Sequence, residues 1–401
     1  MLIALGLTAL LIVAQALAQR TTWGHRIEVI AFELLQGQLS PFDPAEELPV
    51  VVVDISDIKN KDSEVIDLER LTQVITAIAE QKPRAIGVDV VVTPESPSEN
   101  GSETEPDQKT IDANYFKFLD FCHDTIKTKK GVPIFLAVGQ RTVEAPTEWL
   151  GDAKYKELAA TIIVPREDTN RMPIWFKADA DAEKLFSMSA SLARASRRVH
   201  LPVGLAWAVE SADEEFPGTQ KKLKENMEYA DALANYSKLE AIQQNKLLTI
   251  SETSVREAAE KFRGRIVILG DATREKAVDT FVVAGRNEPV AGVYLHASAA
   301  YTFAREPMYE FKPVVRFLLD LMLSLTAIGW VGIARFRHLG DKRAFNWHKL
   351  QKRLALGFLI GAGVLAILLV RITGILWLDF LMVMLAMWIH PKIEERLVKH
   401  K

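Results

Sequence analysis

Apolar and polar positions divide this chain into two kinds of sequence. From residue 19 to 312 short apolar runs alternate with amphipathic stretches, whereas from 313 to 391 apolar residues dominate. In the first part, residues 49–55 (PVVVVDI) are a β-branched run ending in an acid, the pattern of a strand buried on both faces. Asp67 is placed to cap a helix over 68–81, which carries Leu71, Val74, Ile75, Ile78 and Ala79 on one face. Pro83 stops that helix, and residues 84–92 (RAIGVDVVV) predict a second buried strand, giving a βαβ unit that is right-handed by the general rule. The stretch 93–108 is rich in Pro, Ser and Glu and predicts a solvated loop. A helix over 110–127 and a strand over 134–138 follow. Farther on, the pattern predicts strands at 161–165 and 173–177, a helix at 187–198, a polar surface helix or excursion at 227–244, and a helix at 254–262.

The stretch 262–303 organises the rest. A basic turn leads into an apolar strand at 265–269 that stops on Gly270-Asp271; a polar loop follows, and Gly292 opens an amphipathic helix over 293–304. Repeated alternation of strand and helix implies an α/β fold, layered, with a mainly parallel sheet.

The second part holds three stretches long enough to cross a bilayer as helices, residues 313–334, 354–370 and 375–390. A fourth apolar run, 2–18, reads as an anchor, or as a signal peptide cut after Ala16-Leu17-Ala18. No basic residue precedes it, which favours the anchor or a start placed too far downstream. The segment 335–353 is densely basic with Asp341 its one acid, so it is expected in the cytoplasm together with the tail 391–401. Residues 19–312 then form an extracytoplasmic (periplasmic) domain of a multi-pass cytoplasmic-membrane protein.

Composition changes the picture little. A net charge of −3 gives no reason to expect nucleic acid, and one cysteine, Cys122, excludes an internal disulfide or a thiolate metal cluster.

Candidate chemistry sits at the strand ends. In a doubly wound sheet, ligands bind outside the carboxyl ends of the strands. Asp54, Asp57, Asp271 and Asp279 are placed to converge there, with Asp89 inside its strand, Gly270 in the turn and His296 on the following helix. Converging carboxylates suit a hard cation or a cationic ligand, with Asp54 and Asp271 as the metal candidates; equally, such acids cap helices and tie down loops. No nucleophile elbow, zinc-protease motif or phosphate-binding loop occurs between 19 and 312, so no enzyme activity and no cofactor are expected, a divalent cation being the one alternative. In the apolar part Asp320, Arg371 and Asp379 fall at one depth, and the expectation is that Arg371 pairs with Asp320 or Asp379.

Together PVVVVDISD (49–57), KPRAIGVDVVV (82–92), FRGRIVILGDAT (262–273) with Asp279, and GVYLHASAAY (292–301) resemble the CHASE2 family of extracytoplasmic sensory domains. VPREDTNRMPIWF (164–176) and FSMSASLARA (186–195) fit its central part more loosely. The resemblance implies one anchor before the domain and three spans after it. It also implies detection of an external signal and transmission through the spans to a cytoplasmic output. Two features depart from the family: only about ten residues follow the last span, and NKDSEVIDLERL (60–71) stands where a Trp-Pro-rich segment is common. The expected partners are therefore membrane lipid, an effector protein supplied in trans and, by analogy, a second copy of the chain. The rival readings are an extracytoplasmic metal-dependent enzyme and a membrane transport or channel subunit.

Overall fold

The strand at the centre of the organising stretch lies inside a parallel sheet. In the computed structural model, β1 (Val50–Asp54), β2 (Ala85–Val91), β3 (Ile134–Val138), β4 (Ala159–Thr161) and a late strand, Ile266–Gly270, form five parallel strands, the late one inserted between β1 and β2. The expected βαβ unit therefore leaves a gap between its two strands that the chain fills more than 170 residues later, as the numbering of those strands shows. The structure describes residues 21–39, 48–58, 66–92, 108–127, 131–139, 148–164, 169–177, 183–196, 208–209, 216, 219–224, 227–247, 257–273, 279–283, 286, 288–338, 347–385 and 389. The expected loop at 93–108 and the run at 2–18 lie outside them, apart from Gln108, which opens a helix.

The chain divides into two units, one of Pro44–His200 and Ser211–Met308, the other of Met1–Asp43, Leu201–Glu210 and Tyr309–Lys401. In the first unit every residue of β1 and of the Ile266–Gly270 strand is buried, as a continuous β-branched or apolar run requires. One face of the sheet is covered by the helices Leu68–Glu80 and Gln108–Lys127. Asp67 caps the first of these, its carboxylate accepting from the Glu69 and Arg70 N–H groups at 3.0 and 3.1 Å. Such a cap stabilises by about 1 kcal/mol. Leu71, Val74, Ile75 and Ile78 are buried beneath it, each contributing about 2 kcal/mol. The other face is covered by Met188–Ser196 and Gly292–Arg305.

Beside the parallel sheet stands a feature the sequence pattern did not predict. β5 (Arg171–Lys177), β6 (Leu185–Phe186), β7 (Gln220–Lys224) and β8 (Met227–Leu233) form an antiparallel sheet in the order β6-β5-β8-β7. The surface helix expected over 227–244 is corrected to strand β8 followed by a short helix, Leu239–Gln244. The misleading polar residues are cross-strand partners. Asp231 is 1 % exposed and is held by Arg171 at 3.4 Å and Lys222 at 2.7 Å from the strands on either side. The strand expected at 161–165 ends earlier, at Thr161, and within the helix expected at 254–262 the structure has the single turn Ala259–Phe262, with a turn residue at Ala258 before it. Ile266–Gly270 is β9.

The second unit holds the helices Thr22–Gln36, Pro313–His338 and Trp347–Thr373. Among the described residues one helix is long and apolar enough to cross a membrane, at Leu356–Thr373, with a mean hydropathy of 2.3. The stretch expected as a span over 375–390 is corrected at its start. Ile375–Leu376 is a strand paired with Tyr309–Glu310, and helix begins only at Phe380.

Candidate functional site

The carboxyl end of the parallel sheet brings three of the sequence candidates into one row. Asp54 on β1 and Asp89 on β2 both register with Gly270 on β9 between them. Side chains alternate across a strand, so Asp54 follows Val50 and Val52, and Gly270 follows Ile266 and Ile268, onto the face covered by Gly292–Arg305. Gly270 is there because that helix comes close. A Cβ at 270 would stand 2.7 Å from Val293 Cγ2 and 3.3 Å from Asp89 Cβ.

Asp54 is a tie. Its Oδ1 accepts from the Ser56 N–H at 3.0 Å and from the Ala272 N–H at 3.3 Å, joining the end of β1 to the turn after β9. Above it lies Tyr294, whose phenol is pushed up to about 12 by burial, with the Asp54 carboxylate adding to the effect. Asp271 accepts from the N–H and hydroxyl of Thr273, at 3.1 and 2.7 Å, and so shapes its own turn. Asp57 is exposed on a 3-10 turn and its carbonyl accepts from Arg70. The carboxylates of Asp54 and Asp271 fit the capping and loop-tying reading. Among the described residues no group of three His, Cys, Asp or Glu side chains is placed to hold a metal ion.

Asp89 is different. Its side chain is 7 % exposed, and its Oδ1 stands 3.9 Å from Nε2 of His296, itself 1 % exposed. Among the described residues its carboxyl group receives no hydrogen bond. Burial, with Asp279 facing it, pushes the Asp89 carboxyl well above the usual carboxylate range. His296 is held down to about 4, again by burial, with a backbone hydrogen bond at Ile162 working the other way. Ser189 on the neighbouring helix completes the group. Its hydroxyl donates to the His296 carbonyl oxygen and lies 3.2 Å from Nδ1. A serine, a histidine and an aspartate thus adjoin one another. The hydroxyl is buried and committed to a backbone carbonyl, and the acid stands too far from the ring for a hydrogen bond.

Asp279 closes the end of the row. Its carbonyl accepts from the Gly292 N–H at 3.0 Å, and a Cβ at 292 would stand 2.8 Å from its Oδ2. The acid therefore sits over the first turn of the helix, where negative charge is favourable.

The second unit has its own polar group. Arg316 is bound to Asp379 through two guanidinium nitrogens and donates to Glu28 at 3.0 Å, so the pairing expected of Arg371 falls to Arg316. Arg371 donates to Gln38 at 2.9 Å, and Asp320 accepts from the Trp377 indole at 3.0 Å. Asp320 and Asp379 are both buried, at 5 % and 1 %. Two residues of these polar groups went unpredicted. Arg316 lies four residues before Asp320 in an apolar run, a signal that was visible; Ser189 sits among small residues that gave none.

A family model described as the CHASE2 domain matches residues 7–334. The chain belongs to the CHASE2 family. CHASE2 domains are extracellular sensory domains, and the matched span takes in the whole row just described, from Asp54 to His296. No curated protein and no solved structure matches this CHASE2 chain.

Proposed function

We propose that this chain is a membrane-anchored sensor with no catalytic step of its own, whose CHASE2 domain detects an external signal and hands it to a separate effector protein through its membrane helices. The observation that carries the reading is the position of the Gly292–Arg305 helix. Every residue from Gly292 to Ala304 is buried, its first turns are fitted against the strand-end row without room for a methyl group at Gly270, and the chain runs from it into Pro313–His338 within residues 306–312. A change at the strand ends therefore acts on the last element of the domain before the apolar segments. The apolar, outward-facing Val314, Phe317, Leu318, Met322 and Leu325 support a membrane setting for Pro313–His338, as does the span at Leu356–Thr373. The four-span, multi-pass arrangement, the extracytoplasmic placement of 19–312 and the cytoplasmic placement of 335–353 belong to the same proposal, as do lipid and a second copy of the chain as partners.

Crosslinking in native membranes followed by capture of the full chain tests it. Recurrent recovery of one protein bearing a kinase, cyclase or similar output module is expected. Recovery of no such protein under conditions that crosslink the chain to its membrane neighbours contradicts the reading.

A further inference from the structure

The Asp89–His296 contact is unlike the other polar contacts of the domain. It joins the sheet to the Gly292–Arg305 helix, both side chains are withdrawn from water, and the 3.9 Å separation is too long for a hydrogen bond. Among the described residues, the groups that face it come from several elements, the Ile162 backbone among them. Asp279 stands beside Asp89 from the loop before Thr280–Phe281, and Ser189 meets His296 from Met188–Ser196. On the flank lie Asp54 from β1 and Tyr294 from the helix itself. Among these described residues none is a cation other than a protonated His296.

We propose that the Asp89–His296 pair is a proton-binding switch, so that the stimulus read by this domain is external proton activity; this rests on the sensor reading above. With one proton, on the Asp89 carboxyl, the pair is neutral and is compatible with a dry helix–sheet interface. When that proton leaves to bulk water, a carboxylate without hydrogen bonds remains between a neutral imidazole and Asp279. Burying an unpaired charge is costly, so the deprotonated state favours separation of the first turns of Gly292–Arg305 from the strand ends. The displaced element is the one that leads on to Pro313–His338. Nothing is oxidised and no covalent bond other than the O–H bond breaks.

Hydrogen exchange of the amides in 292–305, measured on the full chain in lipid nanodiscs and scaled to the intrinsic exchange rate at each pH, tests the switch. Wild-type protection is expected to fall by up to about tenfold per pH unit as pH rises from the ordinary carboxylate range toward the raised titration of Asp89 in the closed state, and to level off above it. Asp89→Asn is expected to abolish that dependence and His296→Gln to keep it. The same profile in wild type and Asp89→Asn overturns the proposal. Should Asp89→Asn fail to fold, isotope-edited infrared spectra of the wild type decide. A protonated aspartate carboxyl at neutral pH that disappears at alkaline pH supports the switch, and its absence at neutral pH overturns it. Capture of one effector in equal amount at neutral and at alkaline pH would remove the proton as the stimulus while leaving the sensor reading intact.

Discussion

Val293 packs against Gly270 so closely that a single added carbon at 270 would fall 2.7 Å from its Cγ2. The helix that leads toward the apolar segments is thereby fitted to the strand-end row by contact alone, and the fit is measurable. Gly270→Ala is expected to destabilise the domain by about 1–3 kcal/mol, the usual cost of overpacking. Gly139→Ala, where the new carbon would meet only Val91 Cγ2 at 3.8 Å, is expected to change stability by less than about 0.5 kcal/mol. Denaturant titration of both variants beside the wild type makes the comparison. Equal effects would remove the claim of a close fit.

Acid should weaken the fold through His296. Its value in the folded state, about 4, lies below the ordinary 6.5, so the unfolded chain binds the extra proton first. Stability attributable to this group is full above the unfolded value and is lost as pH falls from about 6.5 to about 4. At about 1.4 kcal/mol per unit, the loss approaches about 3 kcal/mol. His296→Gln should remove that part of the acid dependence. An unchanged slope in the variant would show that His296 is not held neutral by burial.

In the second unit, Arg316 is the cation on Asp379. Arg316→Gln removes the guanidinium from a carboxylate that is 1 % exposed, and a loss of about 3–5 kcal/mol is expected. The double variant Arg316→Gln/Asp379→Asn should recover most of it. Thermal unfolding in detergent of the two single variants and the double variant closes the cycle, and strictly additive losses would contradict the pairing. Arg371→Gln, at an exposed guanidinium, is expected to cost less than about 1 kcal/mol.

The strands of the parallel sheet were legible because continuous burial writes itself as VVVV, AIGV and IVIL. Their order was not. That β9 lies between β1 and β2, and so sets Asp54, Gly270 and Asp89 in one row, depends on pairing between segments far apart in the chain. β8 was hidden because its two acids break the apolar alternation, Asp231 standing between two alanines. Glu228 and Asp231 look solvated in sequence, yet Asp231 is buried between cations on both neighbouring strands. Asp89 and His296 could each be singled out as candidates; their juxtaposition needed the helix docked on the sheet. The place of Arg316 beside Asp379 and Glu28 depends on the packing of Thr22–Gln36 and Pro313–His338, which depth along an apolar run does not give.

A sensor of external conditions must hold its sensory domain outside the cell, and single-cysteine labelling asks this directly. Cys122 is buried, and burial pushes its thiol up, so it should remain silent to a membrane-impermeant maleimide under native conditions. Glu260→Cys, at a side chain that is 83 % exposed in the domain, is expected to label in sealed cells or spheroplasts, whereas Arg353→Cys in the basic segment should label only after permeabilisation. Labelling of Arg353→Cys from outside, with Glu260→Cys protected until the membrane is opened, would contradict the account.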